Sequence, residues 1–173
     1  MEILRAATED EVLECFVLAE RDSTRYGERV RGLLEAHGAD YRAVLAEYRS
    51  YGRDDNVFSG FPDDVRWYRA RLAKEELLEI LYINWDWWLT VTNRSRRPLD
   101  AAVSHRGDAG DEAIARAAAA NPPLIAVRAP GSYLVLLEGH VRLTAYAAFA
   151  EHLPDELEIY LGESPGIRDW ALY

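Results

Sequence analysis

Residues 122–154 constrain this chain more than any other stretch. Leu124 to Val127 and Tyr133 to Leu137 are short apolar runs, and Pro130-Gly131-Ser132 lies between them. Turn residues of that kind between apolar runs predict two strands joined by a tight connection. Glu138-Gly139-His140-Val141-Arg142 follows at once, and then Leu143 to Phe149, whose composition is helical. A strand that passes through a glycine into a helix leaves backbone N–H groups at the helix start without partners. Those donors, with the positive end of the helix dipole, favour an anion and most often a phosphate.

The side chains at this junction suit the same chemistry. Gly139 lets the backbone approach a phosphate closely, and Arg142, one turn into the helix, can offer it a forked pair of donors. His140 can bond a terminal phosphate or carry a proton near neutral pH. Glu138 can hold a magnesium ion or take the proton from an attacking hydroxyl, and Thr144 stands close to Arg142. Each has a plain structural alternative: Arg142 paired with Glu138, His140 as a helix cap, Thr144 as a hydroxyl that satisfies the helix backbone.

Upstream of the junction the pattern is mainly helical. Thr8 with Glu11 three residues later is a capping-box signature ahead of Val12, Cys15, Phe16 and Ala19. A second helix is predicted from about Tyr26 to His37 with Gly38 at its end, and a third, capped by Asp40, runs towards Gly52. Cys15 reads as core filler. Residues 52–63 are loop-like, with Asp54 and Asp55 as solvated charges. From Asp63 to Ile83 two readings stay open: one helix, or an extended piece followed by a helix from near Ala73. Tyr82, Trp85, Trp87 and Trp88 form a dense aromatic group that reads as core or contact, or as a stacking wall for a planar ligand. Asp86 among the tryptophans should need a partner such as Arg96 or Arg97. Short helices are expected over 101–105 and 111–119, a third strand around Leu157, Ile159 and Leu161, and a C-terminus tied down by Trp170 and Tyr173.

Composition narrows the function classes. The 173 residues carry a formal net charge of −10, which opposes a broad nucleic-acid surface. Arg94, Arg96 and Arg97 remain as a local basic site. A single cysteine cannot form an internal disulfide, so a reducing, cytoplasmic setting is the expectation. No apolar run reaches about 18 residues, which argues against a membrane span. The four histidines do not fall at metal-ligand spacings.

The order helix, strand ending Pro-Leu-Ile-Ala-Val-Arg, strand ending Leu-Leu-Glu-Gly-His, helix, then strand Glu-Ile-Tyr-Leu-Gly resembles the ParB/sulfiredoxin superfamily. The matching motif residues are Gly139, Arg142 and Ala145, with Glu138 and His140 beside them, and the likeness covers about residues 110–162. The loop lacks the cysteine of the sulfiredoxins and is closest to that of ADP-dependent free-serine kinases. No helix-turn-helix segment follows, which sets the chain apart from chromosome-partition proteins. The resemblance implies an α+β fold: a small sheet with packed helices in residues 99–173, preceded by a mainly helical layer over 1–98. It also implies that His105 and Arg106, just before the matching helix, contact phosphate or substrate. The function expected is a nucleotide-binding phosphotransferase or nucleotide hydrolase. It would use ATP, ADP or CTP with magnesium, with Glu138 and His140 catalytic and Gly139, Arg142, Thr144, His105 and Arg106 binding the ligand. The alternative is a non-enzymatic module that keeps the phosphate cradle as a ligand sensor, or that docks a protein partner or a second copy.

Overall fold

The computed structural model describes residues 1–53 and 56–173, so Asp54 and Asp55 lie outside the described residues. The fold is mixed α/β, with helices on both faces of a five-stranded sheet among the described residues. In chain order the elements are β1 (Glu2–Ala7), α1 (Glu9–Arg21), α2 (Gly27–His37), α3 (Tyr41–Arg49), β2 (Arg66–Ala73), α4 (Lys74–Leu77) and α5 (Asp86–Val91). They continue with α6 (Pro98–Ala101), α7 (Ala109–Arg116), β3 (Leu124–Arg128), β4 (Val135–Glu138), α8 (His140–Ala148) and β5 (Glu156–Glu163). The strand order is β1-β2-β5-β3-β4, with β3 and β5 parallel and the other neighbours antiparallel.

The local signals explain the helix boundaries. Thr8 accepts from the Glu11 backbone N–H, and the Glu11 carboxylate accepts from the Thr8 N–H at 2.7 Å, which completes the capping box. Asp40 caps α3 through the Ala43 N–H, but α3 stops at Arg49, where Ser50 turns left-handed, rather than at Gly52. Between Asp63 and Ile83 the extended reading holds: β2 runs to Ala73 and the single turn α4 follows.

The division expected at residue 98 is corrected by the sheet itself. β1 and β2 come from the N-terminal segment and pair onto β5, so the first hundred residues build part of the sheet as well as covering it. One face of the sheet, including Ile125, Val127, Val135 and Leu137, packs under α1, α2 and α3 through Val12, Phe16, Val30, Val44 and Leu45. The opposite face, including Leu124, Ala126, Leu136, Ile159 and Leu161, packs on Leu77, Tyr82, Leu143 and Tyr146. β3 is therefore apolar on both sides, which is why Leu124 to Val127 reads as a continuous apolar run rather than an alternation. The outer edge of β4 is covered at one point: Leu81 donates to the Leu134 carbonyl and accepts from the Leu136 N–H. Edge strands left open invite unwanted pairing, and this bridge closes part of one. No described helix is long and apolar enough to cross a membrane.

Candidate functional site

β4 ends at Glu138, and the chain turns into α8 through Gly139 at φ 105°. A side chain there is excluded twice. That φ is unfavourable for any L-residue, and an added Cβ would overlap Leu124 Cδ2. Because Gly139 has no side chain to cap the helix, the first-turn amides of α8 receive no side-chain cap. Val141 is exposed, whereas Gly139 is buried, so one side of this helix start faces solvent and the other faces the interior.

On the interior side, Arg142 is fully engaged. Its guanidinium donates to the Pro122 carbonyl, to the Pro123 carbonyl at 3.4 Å and to Glu138 Oε1 at 3.2 Å. The forked grip on a ligand expected from the sequence is thus replaced by the ion-pair alternative, supplemented by two carbonyls of the segment leading into β3. Thr144 is buried. Its hydroxyl donates to the His140 carbonyl at 2.9 Å and meets Tyr82 Oη at 2.7 Å, so it serves the helix and the core rather than a ligand. His140 stacks in a ladder with Trp88 and Tyr82, the centroids lying 5.1 and 5.8 Å from its own. Its Nε2 is buried and has no hydrogen-bond partner among the described residues.

The helical layer supplies a second set of charges to the same interior space. Glu20, at the end of the buried face of α1, accepts from Arg49 of α3 at 2.9 Å. The Arg49 guanidinium lies over the rings of Tyr26 and Tyr48, at 4.8 and 4.4 Å. Tyr48 Oη is buried beside Glu20, without the geometry of a hydrogen bond to it. Neither Glu20 nor Arg49 was singled out from the sequence. The available signal was an acid continuing the apolar face of α1 (Val12, Phe16, Glu20) and a base continuing that of α3 (Leu45, Arg49).

These surroundings set the protonation states. Burial, then the charge of Glu20, push the Glu138 carboxyl up to about 7 against the opposing pull of Arg142 and Arg49. Burial, helped by Arg49 and Arg142, pushes His140 down to about 3. That direction runs against the expectation that His140 carries a proton near neutral pH, since burial and the two arginines disfavour its charged form. Burial likewise pushes the Cys15 thiol up to about 11, which agrees with core filler rather than a reactive thiol.

The remaining expected residues fall elsewhere. His105 is tied to Asp111 through Nδ1 at 2.6 Å, and Arg106 is exposed with no side-chain partner among the described residues. The turn that carries His105 packs on α8, but among the described residues no hydrogen bond or ion pair joins either side chain to the Glu138–Arg142 pair. Asp86 is exposed and unpaired among the described residues, because α5 turns it to solvent. Arg96 instead donates to the carbonyls of Tyr82, Tyr173 and Leu172, and Arg97 pairs with Glu79. Trp88 is the internal stacking partner of His140 and Tyr82, while Trp85 and Trp87 are exposed. Two grooves, of about 670 and 320 Å3, are lined in part by Pro122 and Pro123, and neither lining includes Gly139 or His140.

Against protein-family models, curated proteins and solved structures, the chain finds no match.

A magnesium ion does not fit the residues as they stand. The Glu138 carboxylate is held by one guanidinium with a second close by, and Glu20 is held by Arg49. A divalent cation placed there would face two fixed positive charges and need several oxygen ligands. A phosphate group fits the chemistry better, since the groups around His140 and the start of α8 are mainly donors.

Proposed function

We propose that this chain is a non-enzymatic binding module that takes a phosphate-bearing small molecule where Gly139 leads into α8. The observation that carries the proposal is His140 Nε2, a buried ring nitrogen without a partner at a helix start that lacks a side-chain cap. Buried polar atoms are nearly always paired, so one left unpaired next to helix-start amides without a side-chain cap marks a place for something the chain does not itself provide. The order α7, β3, β4, α8, β5 supports the resemblance to the ParB/sulfiredoxin superfamily, and with it a phosphate at this junction. The neutral His140 and the engaged Arg142 favour a sensor over a phosphotransferase, because neither is poised to move a proton or grip a transferring group.

One observation favours the enzymatic reading: a Glu138 carboxyl held near 7 suits a general base. Calorimetry and a turnover assay separate the two. Inorganic phosphate, ATP, ADP, CTP and GTP would each be titrated with and without magnesium, and product followed over hours. A binding module gives saturable heat for at least one phosphate-bearing compound, abolished or strongly weakened in His140→Ala, with no phosphoryl transfer or hydrolysis. At a hundredfold excess over Kd, such a ligand should add about 2.7 kcal/mol to stability. Turnover lost in Glu138→Gln would replace the sensor by the enzyme, and no binding by any compound would sink both.

A further inference from the structure

Among the described residues the helical layer holds a second buried side-chain polar atom without a partner, and it lies by an arginine whose charge also acts on the first. Arg49 stacks 4.4 Å over the Tyr48 ring, and its positive charge is one of those that keep His140 neutral. Tyr48 Oη and His140 Nε2 are both buried and have no hydrogen-bond partner among the described residues. They come from different elements, α3 and α8, linked through Trp88, which packs against the apolar cluster containing Tyr48 and stacks on His140. A phenylalanine would fill the space of Tyr48 without burying a hydroxyl, and the acid beside this oxygen, Glu20, is held by Arg49. The Tyr48 hydroxyl and the Arg49 guanidinium are donors, and so is His140 Nε2 in the tautomer that carries its proton there; together they suit an oxyanion.

We propose that Tyr48 and Arg49 complete the phosphate site from the wall opposite α8, so that a phosphate or phosphomonoester is held between the helical layer and the Gly139 junction. This rests on the reading of the junction as a phosphate site. In the ligand-free protein Glu20 occupies the Arg49 guanidinium at 2.9 Å. Ligand oxygens take the place of that carboxylate, with Tyr48 Oη and His140 Nε2 as the donors already turned inward. The layer formed by α1 to α3 is then part of the site, and ligand binding fastens it to the sheet. An acceptor-rich, doubly charged phosphate satisfies all three donors, whereas a neutral amide or sugar hydroxyl leaves the guanidinium without a counter-charge once Glu20 is displaced.

The test is isothermal titration of the full chain with inorganic phosphate and, separately, with phenyl phosphate as a simple monoester, on the wild type, Tyr48→Phe, Arg49→Lys and His140→Gln. Tyr48→Phe should weaken binding about tenfold, the loss of one hydrogen bond to a charged group. The free Tyr48→Phe protein should melt no lower than the wild type. Arg49→Lys should weaken binding at least as much, because a lysine cannot reproduce the forked donor geometry. Tighter binding of one probe assigns the ligand as free phosphate or as a monoester. Wild-type affinity in both Tyr48→Phe and Arg49→Lys, with binding lost in His140→Gln, would overturn the two-walled site while leaving the phosphate junction standing. Failure of the wild type to bind either probe overturns the junction and the second wall together.

Discussion

Replacing Glu138 by glutamine should change how stability depends on pH more than it changes stability itself. In the folded protein this carboxyl titrates near 7, against an ordinary value of 4.5, because burial and Glu20 disfavour its charged form. Its folded pKa lies above its unfolded one, so the native state binds the extra proton. The contribution to stability is complete below about 4.5 and is lost as pH rises through 7. A separation of that size corresponds to about 3 kcal/mol at 1.36 kcal/mol per pH unit. His140 acts in the opposite sense. Its folded pKa is depressed to about 3 from 6.5, so its contribution is complete above 6.5 and is lost as pH falls towards 3. In the wild type the two slopes oppose each other between roughly pH 4.5 and 6.5. Glutamine at 138 removes only the first. Urea unfolding of the wild type and Glu138→Gln at intervals from pH 4 to 8 gives the stability difference at each pH, in which titrations common to both proteins cancel. Glu11, held down to about 2 chiefly by its hydrogen bond from Arg5, is one of those. The variant should gain on the wild type by about 3 kcal/mol between pH 4 and 8, whatever fixed loss it suffers from the broken pair with Arg142. A difference that stays constant across this range would refute the assignment of the raised carboxyl to Glu138.

Two further substitutions test the frame of the site. Gly139→Ala forces a side chain into a φ of 105° and against Leu124, and should lower stability by about 2 kcal/mol or more, visible in a thermal melt. Arg96→Ala removes the donors that join the Tyr82 carbonyl to those of Leu172 and Tyr173, and should cost about 1–3 kcal/mol. It should also speed amide hydrogen exchange at Asn84, whose N–H is bonded to Leu172, relative to amides of β3.

Where a structural feature depended on residues a few positions apart, it was legible in the chain. The capping box at Thr8 and Glu11, the cap at Asp40, and the strand-turn-strand-Gly-helix order of β3, β4 and α8 all rest on contacts within one turn or one hairpin. Gly139 was legible for the same reason, since a left-handed residue between a strand and a helix is a local requirement. β1 was not anticipated. Its Glu-Ile-Leu-Arg-Ala-Ala carries little strand signal, because much of it is exposed and its pairing with β2 provides the order. The aromatic cluster was seen as a group, yet which tryptophan would turn inward depended on where α5 met α8.

Helices capped at defined residues, a buried hairpin, and a glycine-led helix start with an acid, a histidine and an arginine around it all follow from neighbours along the chain. Only the tertiary structure decided what those three side chains do. Arg142 is drawn to the carbonyls of Pro122 and Pro123, 20 and 19 residues away, and His140 is stacked with Tyr82 and Trp88, its Nε2 buried. Glu20 and Arg49 reach the same interior from helices more than 85 residues upstream of Glu138. Protonation and hydrogen-bond occupancy follow from burial and from charges brought together through space, and chain order specifies neither until the helical layer has closed on the sheet.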